Sequence, residues 1–417
     1  MVKVSFVCPI FNKSKYLKDV LNALNKQTGN FEKEFIFVND GSSDNSLELL
    51  KSLTKGWKNK KILSQKNKGP ASATQRGIDF STGDYIKLVG DESLSQRDFE
   101  RVISPLQKMG ASFRVNKRKT LPLKIIGSNF TNPINYFENK GSAQCKSTVM
   151  LAALNSAGQT IIKAKKSRDH TENIFRYLGI PISVKKKKSG DEIRVVGQKL
   201  FKSFKYKVPS DPSSSAFFII LALLSKNCEL KIEDVNVNQT RIGFYELLKK
   251  HGANIKFYNK RKRDNEIIGD INIKSGKLKK PIIASKNFYE KTTDEFPILF
   301  CIAALTKGTS VFKGIQDLAN KESNRIKEMQ KVLKQIGIKS ISTKNEMRVY
   351  GRSFIESDNK KITIPNLGDH RICMSSVILS LVTGIKARIN NFETVNTSSP
   401  NFLRIIKSLG ANFEIKK

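Results

Sequence analysis

YIKLVGDESLSQRDF (residues 85–99) runs from an apolar, strand-like stretch into an acidic turn, and the chain is patterned differently on its two sides. Before it, strand-like and helix-like runs alternate: VKVSFVCPI, KSKYLKDVLNALNKQ, KEFIFVND, SSDNSLELLKSL, KKILSQ, ASATQRGIDFS and DYIKLV. That alternation predicts an α/β segment with a parallel, doubly wound sheet and right-handed crossovers. After it, one unit recurs, in which an amphipathic helix ends in Gly and runs into a strand. The copies are LQKMGASF, FRYLGIPISV, LKKHGANIKF, LKQIGIKSI and IKSLGANFEI, with Gly110, Gly179, Gly252, Gly337 and Gly410 at the turn. Gly just past a helix end is the usual left-handed cap. In RIKEMQKVLKQIG the apolar positions Ile326, Met329, Leu333 and Ile336 keep a helical period. Each copy spans roughly 70 to 85 residues, more than a solenoid repeat, and so holds about two helices and several strands. The expected junction is residues 86–95. Asp91 and Glu92 are adjacent there, and neighbouring side chains on an extended strand point to opposite faces, so they are not expected to converge on a metal.

A chain of 417 residues suggests about two to three domains. The apolar run SAFFIILALL (215–224) is about half the length needed to span a bilayer, so no membrane partner is expected. The start, MVKVSFVCPIFN, lacks a long apolar core and a small-residue cleavage site, which points to a cytoplasmic protein. Cys8, Cys145, Cys228, Cys301 and Cys373 are scattered and form no CxxC pair, as expected of reduced thiols without zinc. The net charge of +38 is extreme, yet lysines lie along the whole chain and only Lys185–Lys188 forms a run. A solvated lysine-rich surface is favoured over a nucleic-acid footprint. Such a field would concentrate small anionic substrates. A monomer is expected.

PIFN (9–12), VNDGSSDNS (38–46) and NKGPASATQRGIDFSTGDYI (67–86) resemble the family 2 nucleotide-diphospho-sugar glycosyltransferases over residues 2–88. By that resemblance Asp40 would bind the uracil or ribose of a nucleotide; a turn or helix-capping Asp is the plain alternative. The paired Asp residues that carry the metal in that family are replaced by Gly90-Asp91-Glu92, and sugar transfer is not expected.

From residue 89 the resemblance changes. GDESLSQR (90–97), KGSAQCKS (140–147), KSRDHTE (166–172), VPSDPSSSAFF (208–218), NQTRIG (238–243), TDEFPIL (293–299), NKESNRI (320–326) and DHRICMS (369–375) resemble the 5-enolpyruvylshikimate-3-phosphate (EPSP) synthase family, in order and to the C-terminus. That resemblance implies six βαβαββ units in two domains, of which five signatures remain. GDESL would then be a strand and turn before the Arg. The expected fold class is α/β: the N-terminal half of a nucleotide-diphospho-sugar transferase sheet (1–88), fused to an EPSP-synthase-like array lacking its first part. That array would comprise an incomplete lower domain (89–208) and an upper domain (209–417), hinged at VPSDPSS (208–214).

The resemblance also implies an activity, transfer of the enolpyruvyl group from phosphoenolpyruvate to the 5-hydroxyl of shikimate 3-phosphate, with no metal or organic cofactor. Both substrates are anions and call for converging Lys and Arg. The attack needs a base near the sugar and an acid near the enol. By resemblance, Asp294 takes the hydroxyl proton, and Lys321 and Glu322 handle proton transfer and substrate. Arg325, expected one turn along the same helix face, would hold phosphoenolpyruvate with Arg371, and His370 beside Arg371 would bind substrate. Ser142, Gln144 and Arg168 would hold shikimate 3-phosphate, and Arg97 would reach the enolpyruvate. The plain alternatives are a helix N-cap for Asp294 and a charged helix N-terminus for Lys321 and Glu322. The family's early Lys-Ser pair and Arg have no counterpart in residues 1–88, which implies weakened activity. Three rival readings stand beside this one: a nucleotide-sugar-binding protein, a nucleic-acid binder and an inactive fusion.

Overall fold

The computed structural model describes residues 2–415 apart from 84, 89–91, 129 and 198–203. Asp91 and Gly90 lie outside the described residues. Contacts divide the chain into two compact units, one of residues 1–136, 148–161 and 196–198, the other of residues 137–147, 162–195 and 199–417.

In the first unit every strand and helix expected before residue 88 forms. The order is β1 (Val2–Ile10), α1 (Ser14–Asn25), β2 (Phe31–Asn39), α2 (Ser46–Leu53), β3 (Lys60–Ser64), α3 (Pro70–Asp79) and β4 (Tyr85–Leu88). Leu17, Leu21 and Leu24 fall one turn apart on α1 and are its buried stripe. Phe6, Phe35, Phe37 and Leu50 complete that core, with the Trp57 ring 4.7 Å from that of Phe35. The chain continues through α4 (Glu92–Ser95), α5 (Glu100–Lys108), β5 (Ser112–Arg114) and β6 (Leu123–Ile126). Glu92 thus opens a helical turn and does not continue the strand.

All six strands form one sheet, ordered β3-β2-β1-β4-β6-β5. β3, β2, β1 and β4 are parallel, whereas β6 runs antiparallel to both β4 and β5. The segment before residue 88 and the segment after it therefore share β4.

The rest of the chain repeats one plan. Its elements are β7 (Asn135–Glu138), α6 (Ala143–Ala153), β8 (Gln159–Ala164), α7 (His170–Tyr177), β9 (Ile182–Lys186) and β10 (Asp191–Val196); then α8 (Pro212–Leu224), β11 (Glu229–Asn236), α9 (Gly243–Lys250), β12 (Ile255–Arg263) and β13 (Glu266–Lys274). Next come β14 (Ile283–Ala284), α10 (Tyr289–Thr292), α11 (Phe296–Ala304), β15 (Gly308–Lys313), α12 (Arg325–Gln335), β16 (Ser340–Ser342) and β17 (Glu346–Gly351). The last are β18 (Lys361–Ile364), α13 (His370–Thr383), β19 (Lys386–Ile389) and α14 (Phe402–Ser408). The sheets read β7-β8-β10-β9, β11-β13-β12, β14-β15-β17-β16 and β18-β19. Ser210 supplies the missing leading residue of the second through a parallel bridge to Val235. In the third, β14 is parallel to β15 and β17 is antiparallel to both β15 and β16. The first unit shows the same order and sense in β1-β4-β6-β5. There the chain's first strand takes the leading place.

The five glycines that revealed the repeat all have positive φ: 109° at Gly110, 69° at Gly179, 105° at Gly252, 78° at Gly337 and 91° at Gly410. Each closes the same pair of hydrogen bonds. At α12, Gly337 N–H donates to Lys334 O (3.0 Å) and Ile338 N–H to Leu333 O (2.9 Å), the Schellman pattern. Among the described residues the strand expected after Gly410 does not form, and residues 411–415 pair with no strand. Helices α8, α11 and α13 are apolar nearly all round and make the core of the second unit. Among the described residues no helix is long and apolar enough to cross a membrane.

A Cβ at residue 337 would meet only the flexible end of Lys360, at 3.6 Å, so the cost of Gly337→Ala is conformational. A left-handed non-Gly residue costs about 1–2 kcal/mol. Urea unfolding should register a loss of about that size, and Gly337→Asn should lose less.

A second prediction concerns Glu34 on β2. Its buried carboxylate accepts from Ser5 Oγ (2.6 Å), Thr82 N–H (2.8 Å) and Thr82 Oγ1 (2.9 Å), and Lys61 Nζ lies 3.2 Å away. Burial pushes this carboxyl up, but the hydrogen bonds pull it down further, to about 2. A depressed carboxyl stabilises the fold above its unfolded pKa, and the benefit is lost as pH falls through the folded value. Glu34→Gln should cost at most about 3 kcal/mol at pH 7, with the gap between variant and parent closing as pH falls from about 4.5 towards 2.

Candidate active site

The N-terminal ends of α8, α11 and α13 bring one group of charged residues of the second unit together. Asp211 caps α8, accepting from Ser213 N–H (3.3 Å) and Ser214 N–H (2.9 Å). Glu295 holds the N-cap position of α11 without a side-chain hydrogen bond to the helix, and Asp369 caps α13, its carboxylate accepting from Arg371 N–H at 2.9 Å. Helix N-termini favour anions, and so do the guanidiniums held beside them.

Asp294 precedes the cap of α11 and does not itself cap the helix. Its Oδ2 accepts from Arg168 Nη2 at 2.7 Å, and Arg325 Nη1 lies 3.8 Å from its Oδ1. Burial raises its pKa, but the charges of Arg168, Arg371 and Arg325 more than offset this and hold the carboxyl well below the usual range. The neighbouring Glu295 is buried and shifted the other way, by desolvation first and then by the charge of Asp294. One carboxylate of the pair is thus kept ionised at neutral pH and the other is biased towards the acid form.

Lys321 and Glu322 lie in a bent link before α12, not on the helix; Asn324 is the cap and Arg325 the first helical residue. The expected shared helix face is therefore absent, although Arg325 Nη2 still reaches Glu322 Oε2 at 2.6 Å. Arg325 is 1% exposed and donates through Nε to Asp369 Oδ2 at 2.9 Å. Burial lowers the pKa of the Lys321 ammonium, with the Asp294 charge opposing. His370, first residue of α13, is lowered by burial and by the charge of Arg371, and so stays neutral at pH 7.

Arg371 lies 5.8 Å from the Phe217 ring. Its Nε and Nη1, and Nη1 of Arg325, are buried donors without a hydrogen-bond partner among the described residues. Buried guanidinium N–H groups left unpaired are costly, and an oxyanion satisfies them. Ser142 and Gln144 sit at the start of α6, where Ser142 Oγ accepts from Cys145 N–H at 3.3 Å, and Gln144 is exposed. Arg168 lies in the link leading into α7, next to Asp169, the residue that precedes the helix.

Arg168, Asp294, Arg325 and Glu322 thus form one group linked by direct ion pairs, and the main-chain N–H of Arg371 joins it at the carboxylate of Asp369. Arg97 and Asp40 belong to the first unit. Arg97 follows α4 and is half-buried. Asp40 is buried and accepts from Gln65 Nε2 (2.7 Å) and Lys68 N–H (2.9 Å), so it fastens the turn after β3. Reading the sequence alone missed Asp369, the node of the group, although an Asp two residues before Arg371 and just ahead of an apolar helix is a capping signal. The hydroxyl of Ser167, next to Arg168 in the chain, is buried and has no hydrogen-bond partner among the described residues.

A family model described as EPSP synthase (3-phosphoshikimate 1-carboxyvinyltransferase) matches residues 58–406. The chain belongs to the EPSP synthase family. A 3-phosphoshikimate 1-carboxyvinyltransferase from Petrotoga mobilis is 34% identical over 396 residues, 94% of this chain and 87% of that protein. One from Ruthia magnifica is 38% identical over 330 residues, 79% of this chain and 74% of its own length. An EPSP synthase structure from Acinetobacter baumannii superposes with a TM-score of 0.69 at 35% identity, covering 80% of this chain and 75% of that one. The enolpyruvyl transferase NikO from Streptomyces tendae shares the fold, with a TM-score of 0.61 at 13% identity over 84% of this chain and 80% of its own. The glycosyltransferase resemblance of residues 2–88 is not borne out. The family match begins inside that segment, at residue 58, and the likeness to the Petrotoga protein takes in most of it.

The unpaired guanidinium donors yield a binding prediction. Phosphoenolpyruvate at ten times its Kd should raise stability by about 1.4 kcal/mol, read as a melting-temperature shift. Arg371→Ala should remove most of that shift. An equal shift in parent and variant would place the anion elsewhere.

Proposed function

We propose that this protein transfers the enolpyruvyl group from phosphoenolpyruvate to the 5-hydroxyl of shikimate 3-phosphate, releasing phosphate in the shikimate pathway. Family membership supports the reaction, and one observation supports the assignment of roles. An ionised carboxylate, Asp294, stands 2.7 Å from Arg168 and 3.8 Å from Arg325, beside guanidinium donors that lack partners.

On this reading Asp294 takes the proton from the attacking hydroxyl. Arg325 and Arg371, with neutral His370, grip phosphoenolpyruvate; Arg97 is assigned to the same substrate by resemblance. Ser142, Gln144 and Arg168 hold shikimate 3-phosphate. Lys321 and Glu322 are assigned by resemblance to protonate the methylene carbon and take the proton back, and the weakening of the Lys321 ammonium by burial supports that assignment. In the free protein the guanidiniums make Asp294 a weak base. Two bound anions compensate those charges, which raises the basicity of Asp294 when the hydroxyl is in place. Water exclusion strengthens every one of these contacts.

The test follows phosphate release with both substrates and with each alone. Release should need both, and Asp294→Asn should lower kcat by about 10²–10⁴-fold, the range expected for a general base. A folded parent protein that releases no phosphate would refute the reading. So would an Asp294→Asn variant of parental activity.

A further inference from the structure

Lys146 and Glu172 are two fully buried charges that the reaction as read above leaves unused. Their side chains are 2% and 1% exposed, and Lys146 Nζ stands 2.5 Å from Glu172 Oε1. A buried ion pair is weak support for stability, because an apolar pair of like volume often does as well or better. What an apolar pair cannot supply is direction. Lys146 Nζ also donates to the main-chain carbonyl of Arg168 at 2.9 Å.

The placement of these atoms gives that direction a use. Lys146 lies in the first turn of α6, where its N–H donates to Ser142 O at 3.2 Å, and Gln144 is two residues before it. Glu172 lies in the first turn of α7, four residues after Arg168. A second link joins the same two turns, as Ser147 Oγ and Thr171 Oγ1 are 2.6 Å apart. On its far side the Arg168 segment is held by Asn238 Nδ2, which donates to Asp169 Oδ1 at 2.7 Å.

We infer that Lys146 is a positioning residue: through Glu172 and the carbonyl of Arg168 it fixes the span between the Ser142/Gln144 turn and the Arg168 guanidinium. The inference rests on the reading that these three residues hold shikimate 3-phosphate, and it predicts that recognition of this substrate, not of phosphoenolpyruvate, depends on Lys146.

The experiment uses the full chain and steady-state kinetics, with melting temperature as the control for folding. In the double variant Lys146→Met/Glu172→Leu an apolar pair replaces the charges, so the fold should survive with a melting temperature within a few degrees of the parent. KM for shikimate 3-phosphate should rise about tenfold, the size expected for a charged hydrogen bond, while KM for phosphoenolpyruvate should change less than about twofold. In an Arg168→Ala background the same double substitution should add less than about twofold, because residues acting through one another are not additive. Should the double variant fail to fold, Lys146→Arg serves instead. It keeps the charge pair but moves the donor off the carbonyl, and should raise the same KM at parental melting temperature.

A parental KM for shikimate 3-phosphate overturns the inference, as does an effect of equal size in both backgrounds or an equal rise in both KM values. The reference variant separates the causes. If Arg168→Ala raises KM and the Lys146 variants do not, the inference falls alone. If Arg168→Ala itself leaves KM unchanged, the reading of the substrate site falls with it.

Discussion

The carboxylate of Asp369 carries the geometry of the candidate site. It is fully buried and accepts from Ser323 Oγ (2.9 Å), Arg325 Nε (2.9 Å) and the N–H of Arg371 (2.9 Å). A buried guanidinium left unpaired costs several kcal/mol, so Arg325 can sit at 1% exposure only because this carboxylate and Glu322 meet it. The same atoms cap α13 and so fix the backbone from which His370 and Arg371 project. One acidic group therefore joins the start of α12 to the start of α13. The cation that it leaves partly unpaired is aimed at Asp294.

The surrounding charge balance follows from that node. Three guanidiniums near Asp294 would repel one another in a medium of low dielectric, and Asp294, Asp369 and Asp211 offset them. Arg241 is spent on Asp211 (2.5 Å) and Ser213 (3.0 Å), and Arg168 on Asp294, whereas Arg371 keeps two buried donors unpaired. The net charge of +38 acts at longer range, as a field that draws anions to the surface.

Much of this was legible in the sequence where the signal is local. A Gly that ends a helix needs only its own backbone to adopt φ > 0, so Gly110 through Gly410 marked five helix ends without any tertiary information. The candidate residues of the second unit lie in short motifs that the sequence shows in order. The failures concern burial and partners, which local pattern does not encode. Lys321 and Glu322 read as helical because Arg325 begins a helix one turn later, yet Asn324 caps it there by accepting from Lys327 N–H at 3.1 Å. A helix N-cap was the plain alternative for Asp294, which precedes an apolar helix, but that position falls to Glu295. Lys146 read as one more lysine among many. Nothing in KGSAQCKS distinguishes a surface lysine from one enclosed with Glu172.

The misreading of residues 2–88 has a topological cause. An alternating α/β pattern specifies parallel strands with crossovers but not which strand lies at the edge. Read in isolation, β1 to β4 form a self-sufficient half-sheet, and the turn after β4 looks like a boundary. In the structure β4 is interior: it pairs parallel with β1 on one side and antiparallel with β6 on the other. The order β1-β4-β6-β5 is the order β14-β15-β17-β16 of a later repeat. An exposed edge of β4 would offer unpaired N–H and C=O groups, and β1 removes that edge. Residues 1–88 are thus bound to the first helix–Gly–strand copy by the same ladder that builds every other copy, and a boundary drawn at residue 88 cuts through a sheet.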